Sequence, residues 1–342
     1  MNLRLFLFLV IALNVAFVTQ ALAYRSGIEV PTTQRVVELT TTELRSLDPH
    51  SHGPEDSVSD DHHGVMVTSD PITLTEDLWV YGIELEMVNA PKVTLHHLNV
   101  FRVFPITPLT PPGRDATYIG YGEVVSMGQE TPSRLFFKKP YAVMLPKGTR
   151  LYISAMLHNP NPPKGPGDVY EHVAVKIRLT GNGYDPQRNQ PLFIKRLILA
   201  DADSKSGETF TVPSRTETYI KTGEGGPPDQ ETSYTFPYDA TIIRMGAHLH
   251  PWEGGKEIDA YINGEPITSF IPRHNGPNPW DWHTDYYGST VHVKKGDTIS
   301  FSARYTNPGD EPIVGAMGMF SFRYAPDPIA SPPSLFSTLF TN

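Results

Sequence analysis

The chain has 342 residues, of which 28 are Lys or Arg and 37 are Asp or Glu, so its formal net charge at pH 7 is −9. This acidic balance, without a basic block, argues against nucleic acid as a partner, because phosphate recognition depends on clustered Lys and Arg. Cysteine is absent, which excludes disulfide bonds, zinc–thiolate sites, iron–sulfur clusters and cysteine nucleophiles.

Residues 1–23 predict a signal peptide. Arg4 gives the positive start, residues 5–18 are apolar, and residues 21–23 (Ala-Leu-Ala) form a small-x-small cleavage site. The apolar segment is too short for a membrane span, and no later stretch reaches 18 apolar residues. We therefore expect an exported protein, periplasmic or secreted, with no membrane span after signal cleavage.

Residues 24–64 are polar and predict a solvated, acidic arm, since segments of this composition rarely pack. Four histidines lie in its second half: His50, His52, His62 and His63. They leave metal binding by the arm open as an alternative. At the other end of the chain, residues 329–342 predict a tail.

Between these ends, short apolar segments alternate with turns rich in Pro, Gly, Asn and Asp, and the chain holds 33 Pro and 27 Gly. Residues 171–180 and 298–306 alternate apolar and polar side chains with the period of a strand. Asn263-Gly264 predicts a type I′ hairpin turn between two further strands. The pattern predicts an all-β protein of two consecutive antiparallel β-sandwich domains, jelly-roll-like, over residues 65–200 and 201–328.

His248 and His250 are the strongest candidate ligands. Residues at i and i+2 of a strand share a face, so both imidazoles can chelate one ion. The opposite face is expected to pack in the core, through Ile243, Met245, Ala247 and Leu249. The alternative is that both histidines are simply exposed on the same strand.

His96 and His97 are adjacent, so a regular strand would direct them to opposite faces. Joint ligation requires a bulge or a strand end, and one buried plus one exposed histidine is the alternative. His158 follows a strand in which Ser154 and Met156 share its alternation.

Met317 and Met319 lie on one face of a predicted strand near the end of the chain. Methionine is most often a core residue, but a thioether beside imidazoles is a soft ligand that suits copper. The choice between the two methionines is left open by the sequence.

Taken together and in this order, the candidate ligands resemble the pattern of the copper type II, ascorbate-dependent monooxygenases, the family of peptidylglycine α-hydroxylating monooxygenase and dopamine β-monooxygenase. That pattern is an adjacent histidine pair, a single histidine, a His-x-His strand and a late methionine. It is matched here by His96, His97, His158, His248, His250 and Met317. The resemblance covers roughly residues 65–325.

The resemblance implies two jelly-roll-like domains with one copper ion in each, and therefore two ions in the chain. His96, His97 and His158 would hold the electron-transfer copper, and His248, His250 and Met317 the copper that binds dioxygen. The implied activity is hydroxylation of a C–H bond of a small-molecule or peptide substrate, with ascorbate or another one-electron donor as reductant.

The chain departs from the family pattern in two ways. It lacks the cysteines of the disulfide-rich animal enzymes, and Gly246 stands where the peptidylglycine enzymes have a substrate-binding Arg. Arg244 lies two residues earlier on the same face and is the candidate substrate-binding residue. Peptide amidation is therefore not expected. Two alternatives remain: a copper-binding or carrier protein without catalysis, and a metal-free surface β-sandwich.

Overall fold

The computed structural model describes residues 34–48, 64–103, 121–159, 169–183, 190–202, 209–223, 231–274, 282–285, 287–288 and 290–327. The predicted signal peptide, the four histidines of the arm and the predicted tail lie outside the described residues. Within them, regular helical structure is limited to two short 3-10 turns, Lys92–Thr94 and Pro251–Glu253. No helix in this part of the chain is long and apolar enough to cross a membrane.

The protein is all-β, as the alternation of short apolar segments predicts. The strands of the first half are β1 (Gln34–Thr40), β2 (Leu44–Leu47), β3 (Val65–Thr68), β4 (Ile72–Thr73), β5 (Leu78–Val88), β6 (Leu95–Val103), β7 (Tyr121–Gly128), β8 (Arg134–Phe136), β9 (Tyr141–Leu145), β10 (Arg150–Leu157), β11 (Tyr170–Asn182) and β12 (Gln190–Pro191).

The strands of the second half are β13 (Phe193–Leu199), β14 (Phe210–Val212), β15 (Thr216–Lys221), β16 (Ser233–Thr235), β17 (Ala240–Leu249), β18 (Gly255–Ile262), β19 (Glu265–Phe270), β20 (Arg273–His274), β21 (Trp282–His283), β22 (Val291–Val293), β23 (Thr298–Asn307), β24 (Ile313–Ala316) and β25 (Gly318–Pro326).

Four sheets carry most of these strands. In the first half, a seven-stranded sheet has the order β1-β11-β5-β9-β12, with β2 beside β11 and β8 beside β5, and a five-stranded sheet has the order β3-β10-β6-β7, with β4 beside β10. In the second half, a four-stranded sheet has the order β13-β25-β17-β22, and a five-stranded sheet has the order β15-β23-β18-β19, with β16 beside β23. Apart from the short parallel pair of β9 and β12, the pairing within them is antiparallel.

Each half of the chain has its own hydrophobic core. Residues from Leu39 to Leu192, joined by Ala325, form the first core, and residues from Leu197 to Tyr324 form the second. The two cores divide between Leu192 and Leu197, so β13 belongs to the second sandwich although the sequence assigned residues 65–200 to the first.

Residues 34–48 differ from the expected solvated arm. β1 pairs with β11 over seven residues, and β2 pairs with the other end of β11. Leu39 and Leu47 are buried in the first core. The charged residues that make the segment polar form ion pairs: Arg35 pairs with Glu76, and Glu38 pairs with Arg178. The core that covers its few apolar residues comes from distant parts of the chain.

Two sequence patterns and the hairpin are confirmed. On β11, Val173, Val175, Ile177 and Leu179 face the first core, and on β23, Ile299, Phe301, Ala303 and Tyr305 face the second. β18 and β19 are joined by Asn263 at φ 51° and Gly264 at φ 84°, the two positive φ values of a type I′ turn.

The two sandwiches pack against each other through buried polar contacts. Arg323 of β25 donates through Nη1 to the carbonyl oxygen of Val124 on β7 at 3.3 Å, and its guanidinium lies 5.1 Å from the ring centre of Phe137. Gln190 donates to the carbonyl oxygen of Pro326 at 2.8 Å. The hydrogen bond to Val124 joins the sheet of β6 and β7 to the sheet of β17 and β25, and the bond from Gln190 joins β12 of the seven-stranded sheet to β25.

Candidate metal centre

β17 brings His248 and His250 to one face. His248 lies in the strand, and His250 follows it directly with an extended backbone at φ −95° and ψ 113°, so the alternation continues. Met245, Ala247 and Leu249 face the second core, as predicted. Ile243 instead packs against the first core, because a shift in register between Ile242 and Arg244 reverses the alternation at that point.

On β6, a β-bulge brings His96 and His97 together. Opposite β10, His97 pairs with Met156 and Leu95 pairs with Leu157, so His96 is an extra residue at a register shift. Such a bulge lets adjacent side chains lie on the same side of a strand, and the two ring centres are 4.1 Å apart.

The two histidine pairs meet between the sandwiches. One ring nitrogen of each of His96, His97, His248 and His250 lies within 4.8 Å of the others. Nε2 of His250 is 2.9 Å from Nε2 of His96 and 2.9 Å from Nε2 of His248. Nitrogen atoms that bind one metal ion at about 2.0–2.1 Å lie roughly 3 Å apart, so these separations suit ligands of one ion.

Two carboxylates stand behind the pair on β17. Nδ1 of His248 lies 3.0 Å from Oε1 of Glu130, and Nδ1 of His250 lies 2.8 Å from Oε1 of Glu253. An ionised carboxylate only accepts hydrogen bonds, so His248 donates through Nδ1–H to Glu130 and carries its lone pair on Nε2. This is the arrangement that orients metal-binding histidines in many proteins.

His96 supplies a third converging nitrogen. Its Nδ1 lies 3.2 Å from Sδ of Met156, and its Nε2 faces His250. Burial, followed by repulsion from His97, His250, His158 and His248, holds the pKa of His96 well below its usual value. The ring is therefore neutral, and its Nε2 meets those of His248 and His250 at one point between the strands.

His158 lies beside this cluster rather than in it. Its ring stacks on His96 with centres 5.3 Å apart, and Nε2 lies 3.0 Å from the carbonyl oxygen of Val93. Because a carbonyl only accepts, Nε2 carries the proton and Nδ1 the lone pair.

The two candidate methionines occupy different positions. Met319 is directly opposite His248 in the pairing of β17 with β25, and opposed residues of an antiparallel pair share a face. Met317 precedes β25 and packs with Ile198 and Met319 in a small buried cluster, while its carbonyl oxygen accepts a hydrogen bond from the Tyr305 hydroxyl.

The arrangement differs from the two separate ligand sets that the resemblance implies. His96 and His97 of one set and His248 and His250 of the other form a single cluster, because β6 and β17 face each other across the boundary of the sandwiches. The two domains thus supply two histidines each to the cluster.

A cleft of about 540 Å³ is lined by Glu130, the partner of His248, but by none of the four clustered histidines. Val93, which contacts His158, also lines it, together with the charged side chains Lys92, Arg244 and Asp285. Arg244, the candidate substrate-binding residue, therefore lies in the wall of a cleft that meets the cluster through Glu130.

Sequence reasoning missed Glu130, Glu253 and the contact of Met156 with His96. Glu253 had a local signal, since it lies three residues after His250 in a Pro-containing turn. Met156 also had one, since it alternates with His158 towards the same face. Glu130 is 118 residues from His248 in the chain, and no local pattern connects them.

Comparisons with known proteins give only distant structural neighbours. No family model and no curated protein matches the chain. Recombinant peptide:N-glycanase F is 10% identical with a TM-score of 0.35, over 86% of this chain and 97% of that one. The major capsid protein P2 of bacteriophage PM2 is 8% identical with a TM-score of 0.33, over 85% and 97%. A putative secreted protein from Parabacteroides distasonis is 8% identical with a TM-score of 0.22, over 88% and 91%.

Proposed function

We propose that this protein is a copper-dependent monooxygenase whose metal centre is formed by His96, His97, His248 and His250. The proposal depends on one observation above all: two histidine pairs, one from each sandwich, direct ring nitrogens to a common point within 4.8 Å. His248 donates to Glu130 through Nδ1, so its Nε2 is free of its proton, as a metal ligand must be.

Copper is the metal that suits this donor set best. Imidazole is a ligand for copper, zinc, iron and nickel, and a thioether adds a preference for reduced copper. Thioethers lie close to each pair, with Sδ of Met156 at 3.2 Å from His96 and Met319 opposite His248.

The reaction supported by this centre is R–H + O₂ + 2 e⁻ + 2 H⁺ → R–OH + H₂O. A one-electron donor such as ascorbate supplies the two electrons singly, and bound copper supplies the one-electron redox chemistry that activates dioxygen. The cleft would admit the substrate, whose polar groups would meet the basic side chains Arg244 and Lys92 and the carboxylates of Glu130 and Asp285.

A second candidate is a copper carrier. His250 is 1% exposed and His96 is 6% exposed, and four imidazoles on one ion leave less room for a further ligand than a catalytic site requires. The cleft lined by Glu130 favours the enzyme, since storage of an ion needs no cavity beside it.

The test begins with copper bound per chain after reconstitution and desalting. It uses the purified protein and a variant in which His50, His52, His62 and His63 are replaced by Ala, because the arm also offers imidazoles. We expect copper to be retained in both, followed by oxygen consumption that requires ascorbate. Retained copper without oxygen consumption for any substrate tried would favour the carrier, and no retained copper would contradict both candidates.

The same titration counts the ions. One ion in the arm variant agrees with a single centre shared by the two sandwiches. Two ions would instead support a separate copper site in each domain, as the family resemblance implies.

A further inference from the structure

Glu130 belongs to the first sandwich, yet its carboxylate contacts a histidine of the second. Oε1 lies 3.0 Å from Nδ1 of His248, and both side chains are buried. We infer that Glu130 is a positioning residue that holds His248 in the Nδ1–H tautomer and thereby directs its Nε2 to the metal. This inference rests on the proposed metal centre. It means that a residue of the first sandwich, Glu130, orients a metal ligand of the second, His248.

The turn that carries Glu130 is held in one shape by a neighbouring threonine. After β7, the backbone N–H of Thr131 donates to the carbonyl oxygen of Gly128 at 3.2 Å, and its hydroxyl donates to the same oxygen at 2.9 Å. These bonds close the turn over Gly128, Gln129 and Glu130, as side-chain hydroxyls do in turns of this kind. The carboxylate is therefore presented from a fixed backbone.

Gly128 leaves the space that the carboxylate occupies. A Cβ at this position would lie 2.3 Å from Oε2 and 2.8 Å from Oε1 of Glu130, far inside van der Waals contact. Any larger residue at 128 would thus push the carboxylate away from His248 or displace the turn. The close approach of backbone and carboxylate is what glycine permits here.

The carboxylate of Glu130 lies directly behind the ring of His248, with Oε1 3.0 Å from Nδ1. A fixed negative charge behind the ring raises the basicity of Nε2. It also stabilises a doubly charged ion more than a singly charged one, since Coulomb energy grows with the product of the charges.

The first experiment compares Glu130→Gln with Glu123→Gln. Glu123 is a matched control, because it lies on β7, the strand that leads into the turn of Glu130, but its carboxylate faces Arg196 at 3.8 Å instead of a histidine. We expect Glu130→Gln to lower the affinity for Cu²⁺ by about 10–100-fold, the usual effect of losing such an outer partner, and to lower the affinity for Cu⁺ less.

The reduction potential of the bound copper should then rise in Glu130→Gln. The rise is about 59 mV for each factor of ten by which the loss of Cu²⁺ affinity exceeds the loss of Cu⁺ affinity. Glu123→Gln should leave the potential unchanged. An unchanged potential in Glu130→Gln, or an equal change in both variants, would overturn the inference. A carboxylate with a merely structural role would not change the relative affinity for Cu²⁺ and Cu⁺.

The second experiment needs no metal. In the metal-free protein labelled with ¹⁵N in histidine, NMR should show His248 as the Nδ1–H tautomer, and Glu130→Gln or Gly128→Ala should remove that preference. A His248 ring in the Nε2–H tautomer in the wild-type protein would contradict the inference whether or not copper binds. If the wild-type protein retained no copper but showed the expected tautomer, the proposed function alone would fail.

Discussion

The two histidine pairs of the centre are built in different ways. His248 and His250 share a face because a strand has a period of two residues, and carboxylates stand behind both rings. His96 and His97 share a side only because a bulge opposite β10 breaks that period, and the atom behind His96 is the sulfur of Met156. One pair is thus a product of local strand geometry, and the other depends on the partner strand.

The surroundings of the pairs differ as well. Glu130 and Glu253 place negative charge next to the β17 pair, which favours a cation there. Behind His96 of the β6 pair lies the thioether of Met156, and the ring stacked on His96 is that of His158, which contacts the carbonyl oxygen of Val93. We therefore expect the β17 pair to contribute more to the binding of Cu²⁺.

The largest expected effect tests this difference directly. His250→Ala removes the ring whose Nε2 lies 2.9 Å from two others, and we expect the affinity for Cu²⁺ to fall by more than about 100-fold, beyond the usual effect of an outer partner. His97→Ala should reduce it less, because His97 is only partly buried at the edge of the cluster. Competition titration with a chelator measures both, and equal losses would mean that the two pairs contribute alike.

A second prediction concerns the contact that keeps the pairs together. Arg323→Met removes the hydrogen bond to Val124 and the contact with Phe137, so the free energy of unfolding should fall by about 2 kcal/mol. Arg304→Met is the control, since the exposed Arg304 forms ion pairs with Glu257 at 3.0 Å and with Asp259 at 3.5 Å within the second sandwich, and such pairs at a protein surface contribute at most about 1 kcal/mol each. Urea unfolding separates the two, and equal losses would show that Arg323 is not part of the docking contact.

The thioethers give a third, smaller effect. Met319 lies opposite His248, so Met319→Ile should weaken binding of Cu⁺ by about tenfold, or about 1.4 kcal/mol, with little change for Cu²⁺. Met317→Ile is the matched control, because both side chains pack in the same buried cluster with Ile198. The opposite order of the two variants in a Cu⁺ competition assay would assign the ligand to Met317, as the family resemblance implies.

The smallest effect is expected far from both pairs. Gly264 has φ 84°, and a Cβ added there would meet no atom of the described residues within 4 Å. Gly264→Ala should therefore cost about 1 kcal/mol of stability through backbone strain alone. Copper affinity and reduction potential should not change. A change in either would show that metal binding responds to general destabilisation. Differences in copper affinity between variants could then not be attributed to the individual histidine pairs.

Local patterns were sufficient for several features of this protein. The period of two on β11 and β23 predicted which side chains face the cores, and Asn263-Gly264 predicted the hairpin. The shared face of His248 and His250 follows from the same period. These features depend on neighbouring residues in one strand, so the sequence alone determined them.

Other features required the folded chain. The strands β1 and β2 in the expected arm, the reversal at Ile243 and the bulge at His96 each depend on the partner strand across the sheet. The meeting of the two histidine pairs and the contact of Glu130 with His248 depend on how the sandwiches dock. Docking brings together residues more than a hundred positions apart, and its energy comes from packing over the whole interface, so only the tertiary structure decided that the two histidine pairs form one cluster.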